Sequence, residues 1–300
     1  MSFTSIVKNE ISKLDTIEAE NISELSAIIR TIGIIDENIK IVSENASVAR
    51  RIFNLIKDIY HINCKITVRR GYNFHKNYIY ILEINAKIDL IKDDLCINTN
   101  VPKDYIYTDE DLLIAYLRGL FLGTGSINDP KKSRYHLEFI VDNHEYARFI
   151  SELLNKFRLN SKVLKRENKY MVYIKEAERI SDFLKMMKAT SALFYYEDIR
   201  IYRDHKNMTN RLNNCEQANV DKIVETANQQ IKDIEKIKTI GGLDLLDEKT
   251  KEAAIYRLKY PEVSLAELSE IITIETGKSI TKSGLYHRLN KIKELAKNIK

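Results

Sequence analysis

The stretch LRGLFLGTGS, Leu117 to Ser126, decides how the rest of the chain is read. Gly119 and Gly123 are four residues apart, which puts two small residues on one face of a helix and lets a second helix approach closely. Leu113, Leu117, Leu120 and Phe121 supply the apolar stripe, and a glycine turn is expected at Gly125. A partner with the same pattern begins at Leu25, where LSAIIRTIG offers Ala27 and Thr31 at the small positions.

The correspondence continues beyond the two helices. SENASVARRIFNLIKDIY from Ser43 is similar to VDNHEYARFISELLNKF from Val141: Asn45, Ala49-Arg50 and Leu55 recur as Asn143, Ala147-Arg148 and Leu153. INCKI at Ile62 recurs as LNSKV at Leu159. The difference in spacing between copies falls in the loop NDPKKSR, Asn128 to Arg134, where an insertion costs little. Each copy starts with a helix, near Ile22–Ile32 or Glu110–Leu122, and a short hairpin follows whose second strand lies near Lys40–Ser43 or Tyr135–Val141. An amphipathic helix comes next, burying Ile52, Leu55, Ile56 and Ile59, or Ile150, Leu153, Leu154 and Phe157. CKITVRR…YIYILEI and SKVLKRENKYMVYI close the copies as hairpins, the second turning at Glu167-Asn168. The unit is αββαββ, used twice, its two leading helices crossing at a pseudo-twofold axis between two saddle-like sheets.

The bulk properties fit a multidomain globular chain. Three hundred residues at 44% hydrophobic suffice for a sizeable core. No apolar run reaches membrane-spanning length, and MSFTSIVKNEISK lacks the apolar stretch of a signal peptide, so a cytoplasmic location and no membrane partner are expected. Cys64, Cys96 and Cys215 are odd in number and far apart, which argues against a disulfide framework. His61 and Cys64 have metal-like spacing, but no second pair completes a site.

Charge is concentrated at one end. The net charge is +5, yet residues 278–300 carry seven basic residues against Glu294 alone, a net of +6 that leaves the remainder near neutral. NVDKIVETANQQIKDIEKI, Asn219 to Ile237, has a helical apolar stripe and is expected to link this end to the body, with a break at Gly241-Gly242. Three helices should follow. The first lies near Lys249–Lys259 and stops before Pro261; the second opens on a capping box, Ser264 with Glu267, and runs to about Ile272. The third is capped by Thr281 and buries Leu285, Leu289, Ile292 and Ala296. Its other face shows Lys282, Ser283, Tyr286, His287, Asn290 and Lys293, with Arg288 and Lys291 beside it. That is the layout of a helix-turn-helix recognition helix, and double-stranded DNA is the expected partner. With no acid or nucleophile in its neighbourhood, His287 is read as a DNA or phosphate contact, not a proton-transfer group. Arg200, Arg203 and Arg211, within DIRIYRDHKNMTNRLNN, could add phosphate contacts from the body.

The paired helices resemble those of the LAGLIDADG homing endonucleases, in which each helix ends in a metal-holding carboxylate over the scissile DNA. Leu117, Gly119, Leu120 and Gly125 match that motif, but the acid positions are Thr124 and Ile32, and Asp36 and Asp129 lie beyond the helix ends and out of register. No catalytic residue, metal or cofactor is therefore expected. A duplicated, acid-free body of this kind with a C-terminal helix-turn-helix resembles the WhiA family along essentially the whole chain. MSFTSIVKNE, ENASVARRI, YLRGLFLGTGSINDP, DIRIYRD, NRLNNCEQANVDK and ITKSGLYHRLNKI are in that family's style and order. The resemblance implies an α+β fold: a LAGLIDADG-like saddle of two repeats (1–100 and 101–217), a linker helix (218–240) and an all-α helix-turn-helix domain (241–300). It further implies a bacterial transcription regulator of cell division, chromosome segregation and, where present, sporulation, which works on the nucleoid with another regulator or RNA polymerase. Lys282, Ser283, Gly284, Tyr286, His287 and Arg288 match its recognition helix, where the family more usually has Asn at the place of Tyr286. The competing reading is an interaction protein whose saddle binds a protein partner, DNA binding being secondary.

Overall fold

A computed structural model describes residues 1–70, 78–132 and 134–298; the turn of the first copy's closing hairpin, Ser133 of the Asn128–Arg134 loop and the last two residues lie outside them. The chain divides into two compact units, Met1–Arg203 and Asp204–Lys300.

In the first unit, α1 (Phe3–Ile11) precedes two copies of the expected αββαββ order. The first copy is α2 (Glu18–Ile32), β1 (Gly33–Ile35), β2 (Ile39–Ser43), α3 (Ala46–Tyr60), β3 (Lys65–Arg70) and β4 (Tyr78–Ile84), followed by a short α4 (Ile88–Asp94). The second is α5 (Glu110–Thr124), β5 (Gly125–Ile127), β6 (Leu137–Val141), α6 (His144–Lys156), β7 (Lys162–Arg166) and β8 (Lys169–Ile174), followed by α7 (Ala177–Met186). Two antiparallel sheets result with the same order, β1-β2-β4-β3 and β5-β6-β8-β7. The recurring asparagines explain themselves: Asn45 and Asn143 are N-caps, each side chain accepting two backbone N–H bonds at the start of α3 and α6. Glu167, in the left-handed region at φ 54°, turns β7 into β8.

The helix pair α2–α5 is the centre of this unit. A Cβ added to Gly119 would lie 2.1 Å from the Glu24 carbonyl oxygen, and one added to Gly123 would lie 2.3 Å from Thr31 Oγ1. At Gly119 only glycine lets the two backbones come this close, and at Gly123 it makes room for the Thr31 side chain. Gly125 corrects the sequence expectation. Its φ of −65° is ordinary extended backbone, and α5 passes straight into β5 without a turn. Glycine is required there because the Phe121 ring occupies the place of a side chain, 2.3 Å from the would-be Cβ.

What locks the pair on its polar side has no signature in helical periodicity. Arg118 on α5 is 2% exposed and donates to Glu24 at 2.6 Å and Glu20 at 3.1 Å, both on α2. Fully buried Glu24 also accepts from Arg51 of α3 at 2.9 Å, and Arg51 in turn donates to the Leu14 carbonyl. Two arginines from different copies share one buried carboxylate, so its lone pairs are used and the guanidiniums are compensated.

In the second unit, α8 (Thr190–Thr239), which begins in the first, ends at a break where Gly241 takes φ +73°. The expected linker helix is thus the C-terminal part of a helix that starts well before Asn219. α9 (Glu248–Lys259), α10 (Leu265–Thr276) and α11 (Lys282–Lys297) pack around Leu268, Ile272, Leu285, Leu289 and Ile292, with Ile234 and Ile237 of α8 in the same core. The capping box Ser264–Glu267 forms with both of its bonds. The second helix runs one turn beyond the expected Ile272, to Thr276, where Gly277 supplies the left-handed C-cap at φ +69°. The connection to α11 is thereby shortened to Gly277–Thr281.

Candidate nucleic-acid interface

The ends of the paired helices come first, because a nuclease would do its chemistry there. Thr124 Oγ1 donates to the Ile140 carbonyl at 2.6 Å and accepts from the Ile140 N–H at 3.2 Å, so its hydroxyl is spent on strand β6. Ile32 packs against the core. An engaged hydroxyl and a hydrocarbon are no donor set for a divalent ion, and these positions do not fit one. Lys8 of α1 reaches this end, its Nζ 3.5 Å from the Gly123 carbonyl, and desolvation pushes its amine down to about 8.

The exposed face of α11 is assembled by its buried one. Leu285, Leu289, Ile292 and Ala296 point into the core, and Thr281 caps the helix by accepting from the Gly284 N–H at 3.1 Å. This phasing turns Ser283, Tyr286 and His287 to solvent, with partly exposed Asn290 on the same side and Lys282 and Lys293 along one edge. Tyr286 is 47% exposed and meets His287 edge to face at 6.0 Å between ring centres. Hydrogen-bonding groups of both senses stand on one continuous strip.

Two expected contact residues are on the other flank. Lys291 bonds Asp247 at 2.6 Å, and Arg288 reaches Glu252 at 3.6 Å and the Lys249 carbonyl at 3.3 Å. The Lys291 ammonium, with two bonds from Thr250, holds the Asp247 carboxyl well below the usual carboxylate range. These cations fasten α11 to the start of α9. Their partners lie some forty residues upstream, where helical periodicity carries no signal. Arg200 likewise pairs with Glu197 at 2.8 Å and Glu178 at 3.5 Å. Arg203 donates to the Pro130 carbonyl at 2.7 Å and the Lys132 carbonyl at 2.6 Å, and stacks over Tyr135. Arg211 is exposed on α8.

Three family models match in tandem: the WhiA N-terminal LAGLIDADG-like domain over residues 18–98, the WhiA LAGLIDADG-like domain over 113–206 and the WhiA C-terminal HTH domain over 209–296. The chain belongs to the WhiA family. It is 40% identical over 312 residues to the probable cell division protein WhiA of Pediococcus pentosaceus, covering all of both chains. Its identity to the protein of the same name in Thermoanaerobacter pseudethanolicus is 42% over 319 residues, covering 100% of this chain and 98% of the relative. The crystal structure of full-length DUF199/WhiA from Thermatoga maritima superposes with a TM-score of 0.59 at 26% identity, covering 100% of this chain and 99% of that one. The fold is therefore LAGLIDADG-like with a helical HTH domain, as the resemblance implied. Among the described residues of this WhiA-family chain, no helix is long and apolar enough to cross a membrane.

Proposed function

We propose that this WhiA-family chain is a sequence-specific double-stranded-DNA-binding transcription regulator of bacterial cell division and chromosome segregation, and of sporulation in lineages that sporulate. It works in the cytoplasm on the nucleoid, alongside another regulator or RNA polymerase, and its body cuts no DNA. The observation that carries this reading is the strip on α11. Ser283, Tyr286, His287 and Asn290 reach outward from a helix whose far side is locked in the core, with Lys282 and Lys293 placed to meet phosphates. The helix end at Thr124 and Ile32 supports a body without hydrolytic chemistry.

Mobility shifts of the full-length protein on promoter fragments and on unrelated duplexes test the proposal. Substituting Tyr286, His287 or Asn290 by Ala should shrink the gap between the two kinds of DNA by roughly 1–3 kcal/mol per lost base contact. Undiminished sequence preference in all three variants would remove α11 as the reader. The second reading, a body that binds a protein partner, is favoured by exposed apolar side chains on its sheets, among them Ile34 at 62% and Leu164 at 50%. It gains if Ile34→Glu and Leu164→Glu abolish the cellular effect while DNA binding in vitro is unchanged.

A further inference from the structure

A large cavity of the first unit opens where the paired helices end. Its volume is ≈ 1090 Å³, and its walls include Ile32 of α2, Leu122 of α5, Lys8 of α1, Tyr78 and Tyr80 of β4, and Glu44 just after β2. Sites for small molecules run from about 300 to 1,000 Å³, so the space is of that order. Several polar groups around it are spent inside the fold: Thr4 bonds the Ile127 carbonyl, Ser43 bonds the backbone of Asn45, and Asn45 caps α3. Others are not. Lys8 Nζ stands over the Phe121 ring at 5.7 Å and has one acceptor, the Gly123 carbonyl at 3.5 Å, with no carboxylate among the described residues. The hydroxyls of Tyr78 and Tyr80 and the carboxylate of exposed Glu44 are likewise without partners among the described residues.

The repeat supplies an internal comparison. Leu122, Gly123 and Asn45 correspond to Arg30, Thr31 and Asn143, and these line the matching cavity on the other side of the helix pair. That cavity is only ≈ 210 Å³, and Ile97, Thr99 and Asn100 of the connection between the copies are in its wall. Its cation is used by the chain itself: Arg30 donates to the carbonyls of Cys96 and Thr99. Asn100 reaches Glu145 at 3.0 Å. One of two equivalent places is thus filled by a strand of carbonyl acceptors. The other stays open, with a part-buried ammonium facing it. Buried cations are ordinarily met by acceptors, so the open cavity calls for a ligand that brings them.

We infer that this cavity binds a nucleoside phosphate: the phosphate at the Lys8 ammonium and the tyrosine hydroxyls, the base against the rings of Tyr78 and Tyr80, and ribose hydroxyls on the Glu44 carboxylate. An ammonium with two phenol donors suits an anion. Neighbouring tyrosines suit a flat ring, since every base has a face that stacks on an aromatic side chain. Glu44 accepts only, so it needs donors, which a ribose brings and an inorganic anion does not. Desolvation already disfavours the Lys8 charge, and a bound anion restores it. The site belongs to the first unit and stands apart from the DNA-binding reading of α11.

The test is isothermal titration calorimetry of the full-length protein with AMP, GMP, CMP and UMP, and with the matching nucleosides and inorganic phosphate as partial ligands. At least one monophosphate should bind, about tenfold or more tighter than its nucleoside or phosphate alone, because the charged contact and the stack both contribute. Lys8→Met and Tyr78→Ala should each weaken it about tenfold, and Lys8→Arg, which keeps the charge, should stay within about threefold of wild type. Tyr78 is 55% exposed, so its substitution leaves the core intact. No binding of any monophosphate at millimolar concentration would overturn the inference. So would equal affinity in wild type, Lys8→Met and Tyr78→Ala, or inorganic phosphate bound as tightly as the nucleotide. Displacement of the nucleotide by a DNA duplex would overturn it too, by assigning the cavity to nucleic acid.

Discussion

Gly119→Ala is the sharpest probe of the helix pair. The new Cβ would lie 2.1 Å from the Glu24 carbonyl oxygen and 2.9 Å from Glu24 Cα, and both atoms are backbone. Carbon atoms are comfortable at roughly 3.5–4.0 Å, so α2 and α5 must part by more than about 1 Å along a fully buried seam. Glu24 holds Arg118 at 2.6 Å and Arg51 at 2.9 Å, so displacing it also stretches the buried network. Overpacking costs about 1–3 kcal/mol or more, and a backbone clash belongs at the upper end. The gain in helix propensity on replacing Gly by Ala returns about 1 kcal/mol. A net loss of about 2 kcal/mol should lower the melting temperature of the first unit by roughly 4–8 °C, measured by circular dichroism on the full-length protein. Gly284→Ala is the control: the nearest atom to its Cβ is Thr281 Oγ1 at 3.4 Å, so the same substitution should stabilise the second unit by roughly 0.5 kcal/mol. An unchanged or raised melting temperature in Gly119→Ala would refute the claim that the glycine exists for close helix approach.

Glu24→Gln strips the charge that two arginines share; with Arg118 2% exposed, the first unit should lose about 3–5 kcal/mol in denaturant titration, and a loss below about 1 kcal/mol would show that water compensates the arginines. Lys8 has its amine pushed down to about 8, so between that pH and the unfolded value of 10.5 the unfolded chain binds more protons. Stability from this group therefore rises with pH above about 8, and the difference between wild type and Lys8→Met should shrink from pH 7 to 9.5, where a constant difference contradicts the desolvation argument. Lys293→Ala should weaken all DNA and flatten the salt slope by about 0.9, whereas Lys291→Ala, whose side chain is tied to Asp247, should chiefly lower the melting temperature of the second unit; the reverse pattern would misplace the interface. Thr124→Asp should not nick plasmid with magnesium or manganese, because Ile32 offers no second carboxylate, and nicking would reopen the catalytic reading.

The fold was legible in the chain to the level of single elements because the repeat compares one copy with the other. Asn45 and Asn143 recur as caps, and hydrophobic positions such as Leu55 and Leu153 recur in the core, since both copies solve the same packing problem. Helix ends were less legible. α10 runs on through Thr273 and Thr276 to its cap at Gly277, and that glycine marks the helix end only where the turn before it is helical. In the candidate interface, the buried stripe of α11 fixed which residues face outward, and periodicity is enough for that. It could not show which exposed cations are already taken. Lys291 with Asp247 and Arg288 with Glu252 are pairs made by tertiary approach, across tens of residues.

The two duties of the paired helices fall on different residues, which explains how one can persist without the other. Close approach depends on Gly119 and Gly123 along the seam and on Glu24 and Arg118 beside it, all within the length of α2 and α5. Metal chemistry would depend on the terminal position alone, here Ile32 and Thr124, whose side chains look toward the sheets: Ile32 into apolar packing, Thr124 onto the backbone of Ile140. An acid at position 124 would have to give up the bond that ties α5 to β6 and face a neighbouring carbonyl oxygen at close range. The terminal residues thus do structural work that a carboxylate does worse.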